Sequence, residues 1–239
     1  KKSIKLNLKN LNDKNIFTDL ISKCDVLVEN YKVGVLTKLG FSWRKIKEIN
    51  SKLIYAKISG FGETGPLRQF PAYDIIVQAL SGMMSITGFA NQKFARVGSS
   101  IGDITAGLYC VIGILAALHD RNINKVGKKI DISMLDCQVG ILENAVTRYS
   151  ITKKIPIPLG TDHPSISPFG AYKTKDILIV IAAGNQKIFE KLCKALSRTD
   201  LNKKKKYSNN LLRNKNFKSL RKDIEDKLKT HTGDYWIKK

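Results

Sequence analysis

A serine and an aspartate three residues apart, Ser133 and Asp136, stand at the start of an apolar run in DISMLDCQVGI, residues 131–141. A carboxylate in such a place can do covalent chemistry, because it can attack an activated acyl group and hold it as a transient intermediate. The same spacing is the S-x-x-[DE] pattern of a capping box, which satisfies unpaired backbone N–H groups where a helix begins. Spacing alone favours the cap, so a nucleophilic Asp136 needs support from elsewhere in the chain.

The cysteines and histidines give no support for metal or disulfide chemistry. They are widely separated, with no CxxC pair and no histidine at ligand spacing: Cys24, Cys110, Cys137, Cys193, His119, His163 and His231. Such scattered cysteines are typical of reduced core thiols in a cytosolic protein. We therefore expect a cytoplasmic protein without a metal site.

The chain is strongly basic, with 42 Lys and Arg against 20 Asp and Glu and a formal net charge of +22. One interpretation is a basic nucleic-acid-binding protein, and the other is a lysine-rich surface with local sites for a phosphate-bearing ligand. The lysines are spread along the chain, the only dense run is residues 203–206, and no RNA-binding signature is present. Dispersed charge favours a solvated surface and no nucleic-acid partner.

Strand and helix patterns alternate along the first part of the chain, which is the order of an open α/β sheet. Strands are predicted over residues 4–8, 25–30, 53–61 and 128–133, and helices over 15–24, 75–88, 101–120 and from about Ser133 onward. The apolar segment 104–118 is too short to cross a bilayer and predicts a buried core helix rather than a membrane protein. Near residue 155 a Pro- and Ser-rich linker leads into a second unit with a strand over 177–184 and a helix over 185–196.

Several stretches together resemble the class III CoA-transferases, the CaiB/BaiF family that includes formyl-CoA and succinyl-CoA:glutarate CoA-transferases and α-methylacyl-CoA racemase. The resemblance occurs in the family's order across nearly all 239 residues. It is carried by CDVLVENYKVGVLTKLGFSW, LIYAKISGFGETGPLRQFPAYDIIVQALSGMMSITG, VGSSIGDITAGLYCVIGILAAL, GKKIDISMLDCQV and GTDHPSISPFGAYKTKD. It implies a Rossmann-like open parallel sheet in a large domain, residues 1–155, and a smaller α+β domain with its linker, residues 156–239.

The resemblance implies that Asp136 is the nucleophile, because it matches the aspartate of the family's MQD or LLD motif. The implied enzyme moves CoA from an acyl-CoA, such as succinyl-CoA, to a free carboxylic acid through a covalent aspartyl intermediate. A cap and a nucleophile are compatible, since N–H groups at a helix start can also stabilise developing oxyanions. No permanently bound cofactor is implied, and the CoA thioester is a substrate.

The resemblance also implies a CoA site around the turn VENYKVG, residues 28–34. Asn30 and Tyr31 match the family's turn, whereas Val33 replaces its proline. Lys38 stands where a basic residue often meets the CoA phosphates, and Arg68 and Arg96 are weaker candidates for the same contact. A turn asparagine and solvated surface cations explain these residue types equally well.

The loop that contains Gly60, Gly62 and Tyr73 resembles the segment that packs beside the thioester. Its glycines would let the backbone approach a ligand closely, although an ordinary turn would also need them. Racemases of the family carry a histidine where this chain has Tyr73, and tyrosine ionises too far above neutral pH to serve as that acid or base. The sequence therefore favours a transferase, with the racemase as an alternative.

The first residue of the chain and the resemblance together lead to expectations about its completeness and its assembly. The chain starts at Lys1 rather than Met, and the family normally has a strand before this point and more chain after it, so we expect a fragment that lacks both ends. Family members usually form interlocked homodimers, so a homodimer is the implied assembly, with an acyl-CoA and a small carboxylic acid as partners. A catalytically inactive homologue is the remaining alternative.

Overall fold

The structure is a computed structural model that describes residues 1–90 and 94–239. These residues form two compact units, one of residues 1–87 with 94–157 and one of residues 88–90 with 158–239. That the first unit is a CoA-binding, catalytic domain and the second a separate small domain stays a prediction.

The first unit is built on a three-stranded parallel sheet. Its strands β1 (Val26–Glu29), β2 (Ile54–Ser59) and β3 (Lys129–Ser133) lie side by side in that order. Glu29 pairs with Lys57 across β1 and β2, and Ser59 pairs with Ser133 across β2 and β3. The predicted α/β class with a parallel sheet is confirmed, and all three strands end at the same edge.

Helices connect the strands and cover both faces of this sheet, as parallel sheets require. One face packs on the helices before β2, where Ile21, Ile46 and Leu53 are fully buried, and the other packs on later helices around Val77 and Ala106. The helices of the unit are α1 (Leu11–Lys23), α2 (Val35–Lys38), α3 (Trp43–Ile49), α4 (Asp74–Ser81), α5 (Met83–Ile86), α6 (Ile101–Asn124), α7 (Met134–Gly140) and α8 (Asn144–Thr152).

Two predicted helices are interrupted near single residues that have a positive φ. The helix predicted over 75–88 is divided by Gly82, whose φ of 91° lies in the left-handed region that glycine adopts without strain. The helix predicted from Ser133 onward ends at Gly140, and the chain passes through Glu143 at φ 52° before α8 begins. Periodicity does not detect a single left-handed residue, so both predictions were too long.

The strand predicted over residues 4–8 is wrong. The described part of the chain provides no ladder partner for this segment, which is irregular up to the turn before α1. Ile4 is 60% exposed, whereas Leu8 packs against the apolar cluster beside α1. Alternation of apolar residues indicates a strand only where a neighbouring backbone can accept its hydrogen bonds.

Helix α6 differs from the expected buried core helix. It has 24 residues, is long and apolar enough to cross a membrane by length and composition, and is only 28% buried over its most apolar window. Gly102, Thr105, Ala106, Cys110 and Ala117 are buried on one side, where α6 packs against β2, β3 and α7. The other apolar side is exposed in this unit, so the prediction of burial is wrong for that side.

The second unit combines a two-stranded antiparallel sheet with a helical cluster, which agrees with the predicted α+β character. Strand β4 (Phe169–Lys173) pairs with β5 (Leu178–Ala182), and Phe189, Leu201, Tyr207 and Leu220 are completely buried beside them. The helical elements are α9 (Gln186–Ala195), α10 (Thr199–Lys203), a 3₁₀ turn (Lys205–Tyr207), α11 (Asn210–Lys215), α12 (Phe217–Leu228) and α13 (Gly233–Lys238).

Candidate active site

The predicted site residues follow the carboxyl ends of the three parallel strands. Asn30 comes directly after β1, Gly60 directly after β2, and Asp136 lies in the first turn of α7, which continues from β3. Open α/β sheets place ligands at this edge, because the loops that leave the strands converge there.

A cavity of about 650 Å³ opens at this edge of the first unit. Five of the predicted residues line it: Asn30, Tyr31, Gly60, Arg68 and Tyr73. Asp74, Asp103 and Met134 line it as well, so the amino-terminal turns of α4, α6 and α7 all reach the cavity. The structure thus brings together residues that are more than 100 positions apart in the sequence.

Asp136 lies beside this cavity rather than in its lining. The hydroxyl of Ser133 caps α7 by accepting the backbone N–H of Asp136 at 3.2 Å, so the serine half of the expected capping box is confirmed. The Asp136 side chain is exposed, and none of the described residues donates a hydrogen bond to its carboxylate. Met134, two residues earlier on the same turn, contacts the cavity. The Asp136 carboxylate is therefore open to solvent, on a helical turn from which Met134 reaches the cavity.

Two hydrogen bonds hold the turn after β1, and its residue Tyr31 lines the cavity. The side-chain amide of Asn30 donates to the carbonyl of Ile58 at 2.9 Å, which ties β1 to β2. The backbone N–H of Tyr31 donates to the Glu29 carboxylate at 2.9 Å, while the tyrosine side chain is 52% exposed. Asn30 therefore has a structural role in this geometry, and Tyr31 is free to contact a ligand.

Three predicted residues besides Asp136 lie outside the cavity lining. Lys38 is exposed at the end of α2, and Arg96 forms an ion pair with Asp74 at 3.8 Å. Gly62 has a φ of 76° and faces Asp131 across the loop. The structure brings Arg96 next to the cavity-lining Asp74, whereas Lys38 and Gly62 are not among the described residues that line the cavity.

Close packing against Ala72 explains why residue 60 is a glycine. A Cβ at this position would lie 2.3 Å from the Cβ of Ala72, because the two ends of the loop approach each other closely there. Two carbon atoms cannot lie this close without a bond, so a side chain at residue 60 would force the backbone to move. The contact with Ala72 therefore explains the glycine without any ligand. Gly60 permits the cavity wall to form whether or not a ligand touches it.

Two carboxylates that were not among the predicted site residues, Asp74 and Asp103, line the cavity. Asp74 is 9% exposed, and its oxygens accept the backbone N–H of Gly102 and the side-chain amide of Gln78, both at 2.7 Å. Partial burial, and then the charge of Asp74, raise the pKa of the Asp103 carboxyl. An aspartate directly before an apolar helical run, as in AYDII, is the signal that could have identified Asp74.

No cluster of metal-ligating side chains occurs among residues 1–90 and 94–239. The chemistry available at this edge of the sheet is that of an exposed carboxylate beside a cavity of mixed polarity. A carboxylate can act as a nucleophile toward an acyl group, and cations at the cavity can contact phosphates.

Comparison with known proteins gives a consistent result. The family model described as CoA-transferase family III matches residues 1–239. The chain is 39% identical to acetyl-CoA:oxalate CoA-transferase of Acetobacter aceti, over 99% of this chain and 61% of the relative. It is 38% identical to human succinyl-CoA:glutarate CoA-transferase, over 99% of this chain and 54% of the relative.

Solved structures agree with these relatives. A CAIB/BAIF family protein from Brucella suis is 33% identical with a TM-score of 0.83, over 99% of this chain and 62% of that one. A hypothetical protein from Mycobacterium tuberculosis is 26% identical with a TM-score of 0.89, over 99% of this chain and 64% of that one. The chain therefore spans only about half to two-thirds of the length of the proteins it matches.

Proposed function

The chain belongs to CoA-transferase family III, and from this membership we propose that it transfers CoA from an acyl-CoA to a free carboxylic acid with Asp136 as the nucleophile. The observation that carries the proposal is the accessible Asp136 carboxylate, in the first turn of α7 beside the cavity at the carboxyl edge of the sheet. The named relatives, which act on acyl-CoA and carboxylic acid substrates, support the same reaction.

The proposed reaction has two covalent stages. The Asp136 carboxylate attacks the thioester carbonyl, the C–S bond breaks, and CoA leaves as a thiolate from a mixed anhydride. The thiolate then attacks the Asp136 carbonyl of the anhydride, which releases the donor acid and leaves an aspartyl-CoA thioester. The incoming carboxylate reverses these steps, so that its acyl group leaves bound to CoA and Asp136 is regenerated. Dividing the transfer in this way replaces one difficult step with several easier ones.

We assign CoA to the cavity that Tyr31 and Arg68 line. The exposed ring of Tyr31 can pack on a flat group, and the Arg68 guanidinium, which donates to the carbonyl of Gly65 at 3.2 Å, can turn its other N–H groups toward a phosphate. In the same proposal Lys38 and Arg96 contact the phosphates only if the ligand extends beyond the cavity. Gly60 and Tyr73 would form the wall beside the thioester, and Gly62 would shape the loop that carries Gly60.

The relatives name oxalate and glutarate as acceptors, and acetyl-CoA and succinyl-CoA as donors. For this chain we propose the class only: a short acyl-CoA donor and a small carboxylic acid acceptor. The racemase alternative is disfavoured because Tyr73, 78% exposed at the cavity, stands where a neutral-pH acid or base would be needed.

A homodimer is the assembly that we propose, because α6 exposes an apolar stripe. Ile104, Leu108, Val111, Ile112 and Leu115 repeat at helical spacing and are each 49–62% exposed. A contiguous apolar surface of this kind marks a contact with another chain or another part of the protein. The buried opposite side of α6 packs on the sheet, so we interpret the stripe as an interface rather than a membrane contact. We propose a cytoplasmic location with no nucleic-acid partner.

Light scattering tests the assembly. The change Leu108→Glu places a charge in the stripe and is expected to convert a dimer to a monomer, whereas the matched change Leu211→Glu, at an exposed leucine of α11, leaves the dimer intact. A monomeric parent protein, or a Leu108→Glu dimer, would contradict the homodimer.

The reaction is tested with the purified protein, succinyl-CoA or acetyl-CoA, and a panel of carboxylic acids. We expect new acyl-CoA products, and a loss of kcat of more than about a thousandfold in Asp136→Asn, because no other group can take over the covalent step. Hydroxylamine trapping followed by peptide mass spectrometry should place the adduct on Asp136. The matched control is Asp25→Asn, a carboxylate beside the opposite end of β1, which should keep full turnover. Undiminished turnover in Asp136→Asn would refute the proposal.

A further inference from the structure

A lysine lies buried within the parallel sheet, beside the cavity and outside the proposed chemistry. The side chain of Lys57 is 2% exposed, and an ammonium group in such a place must be paired to be tolerated. Its Nζ lies 3.1 Å from Oε1 of Glu29 and 3.4 Å from Oε1 of Glu63. Glu29 is its cross-strand neighbour in β1, whereas Glu63 belongs to the loop after β2.

Glu29 connects Lys57 to the turn that carries Tyr31. One carboxylate oxygen of Glu29 accepts the Tyr55 hydroxyl at 2.6 Å in addition to the Lys57 ammonium, and the other accepts the backbone N–H of Tyr31. Burial, and then its hydrogen bond to Glu29, raise the pKa of Tyr55, which keeps the hydroxyl a donor at neutral pH. With three donors and 3% of its side chain exposed, Glu29 has one defined orientation.

Glu63 connects Lys57 to the loop that carries Gly60. Its carboxylate pairs with Lys129 of β3 as well as with Lys57. Its backbone N–H donates to the side chain of Asp131 at 2.8 Å. The loop is therefore fixed at Glu63 by two ammonium groups and one backbone hydrogen bond, two residues before its turn at Gly65.

We propose that Lys57 is a positioning residue that couples the Tyr31 turn to the 60–66 loop, so that the two cavity walls to which Tyr31 and Gly60 belong are set before acyl-CoA binds. The coupling follows from geometry, because the carboxylates of Glu29 and Glu63 both pair with the same ammonium, which lies between the two segments. Walls that are ordered in advance lose less conformational entropy on binding. The consequence for substrate rests on the proposed function, whereas the coupling of the two segments does not.

Hydrogen exchange tests the coupling without any substrate. In Lys57→Met, the amides of Tyr31 and Glu63 are expected to exchange faster together, because both segments lose their shared partner. In Glu63→Gln, which weakens the link from the loop side, exchange at Tyr31 should also rise. The matched control is Lys128→Met, a lysine of the neighbouring segment that pairs with Asp120 and reaches neither wall.

Steady-state kinetics tests the consequence for substrate. Misplaced walls should raise the KM for acyl-CoA by about tenfold while kcat changes by less than about threefold, since Lys57 does not contact the reacting atoms. The effects of Glu29→Gln and Glu63→Gln on KM should be non-additive, and this coupling should disappear in the Lys57→Met background. The double variant Glu29→Gln/Lys57→Met removes both charges, so it should regain thermal stability while KM stays high.

The outcomes separate the two proposals. Unchanged exchange at Tyr31 in Glu63→Gln and in folded Lys57→Met, or a KM that recovers together with stability in the double variant, overturns the positioning role and leaves the transferase intact. Coupled exchange in a protein that neither binds CoA nor transfers it supports the coupling and refutes the proposed function. If Lys57→Met does not fold, the Glu63→Gln exchange result decides.

Discussion

The hydroxyl oxygen of Ser133 accepts the backbone N–H of Asp136 at 3.2 Å, and this contact anchors the backbone of the proposed nucleophile. The serine occupies the cap position at the end of β3, with the φ of −90° and ψ of 120° of an extended residue. The aspartate contributes its backbone to the cap and leaves its side chain exposed. Capping and catalysis therefore use different atoms of the same residue, which reconciles the two interpretations of the sequence.

Replacing this cap should weaken both the helix and the reaction. Ser133→Ala is expected to lower the free energy of unfolding by about 1 kcal/mol, the usual loss when a serine cap is removed. It should also lower kcat, because the first turn of α7 then holds Asp136 less firmly. Urea unfolding and steady-state kinetics measure the two effects.

Ser42→Ala is the matched control for this change. Ser42 caps α3 with the same type of hydrogen bond, accepting the N–H of Lys45 at 3.2 Å, and α3 is not part of the cavity lining. We expect a similar loss of stability with an unchanged kcat. If Ser133→Ala keeps the parent kcat, as Ser42→Ala is expected to do, the Ser133 cap has no role in placing the nucleophile.

A side chain at Gly60 should displace the loop that forms the cavity wall. In Gly60→Ala the new Cβ would lie 2.3 Å from the Cβ of Ala72, so the backbone must move. We expect a stability loss of about 1–3 kcal/mol, as overpacking commonly causes, with a raised KM for acyl-CoA. Thermal unfolding and kinetics provide the measurements.

Two further variants test whether the effect of Gly60→Ala comes from the clash with Ala72 rather than from replacing a glycine. Gly60→Ala/Ala72→Gly removes the clashing methyl group and should recover most of the loss. Gly107→Ala lies within α6 with open space around the new Cβ and should raise stability by about 0.5–1 kcal/mol. A double variant as unstable as Gly60→Ala alone would mean that contact with Ala72 is not the reason for the glycine.

The sequence predicted much of the first unit because its signals are local. The Ser133 cap follows from a three-residue spacing, and the strands at 25–30 and 53–61 from short apolar runs bounded by polar residues. The left-handed residues Gly82 and Glu143 escaped detection because a single dihedral does not alter hydrophobic periodicity. Strand β4 also escaped detection, since its sequence FGAYK shows no apolar run and becomes a strand only by pairing with β5.

The parts of the site that the sequence did not predict depend on register. Glu29 and Lys57 are 28 positions apart, and only the parallel pairing of β1 with β2 makes them neighbours. Without that register, each is an unremarkable charged residue, and charged residues are normally predicted on the surface. Arg96 shows the opposite case, because its type suggested a phosphate contact while the structure gives it an intramolecular partner in Asp74.

Thiol reactivity should follow burial in the folded protein. Burial raises the pKa of Cys193 to about 11, and it also raises the pKa values of Cys110 and Cys137. At pH 8 only about one Cys193 in a thousand is thiolate, the form that reacts with alkylating reagents. We expect iodoacetamide to modify the partly exposed Cys24 first and the other three only on unfolding.

Mass spectrometry over a time course measures this order, with protein in urea as the control in which all four cysteines react. Cys24 also has a raised pKa, mainly through burial, so its advantage comes from access rather than acidity. Rapid modification of Cys193 in the folded protein would contradict the packing of α9 against the core of the second unit.

The pair of Arg198 and Asp200 should make stability depend on pH in the acid range. The Arg198 guanidinium forms two hydrogen bonds with the carboxylate, at 2.7 and 2.9 Å, and this contact lowers the pKa of Asp200 from 3.8 to about 2. A carboxyl whose pKa is depressed in the folded state stabilises that state above its unfolded pKa, and the contribution is lost as the pH falls from about 3.8 toward 2.

Asp200→Asn should therefore be less stable than the parent at pH 6, and the difference should shrink at pH 3. The side chain of Asp200 is 50% exposed, so solvent screening limits the difference at pH 6 to less than about 1 kcal/mol. Because the pair is exposed, 0.5 M salt should reduce the difference further. Urea unfolding at the two pH values measures it, and Asp19→Asn, an exposed carboxylate of α1, controls for the change in net charge. If the difference in the free energy of unfolding between the parent and Asp200→Asn grew as the pH fell, it would have the wrong sign for a depressed pKa. The Arg198–Asp200 pair would then be ruled out as the source of the difference.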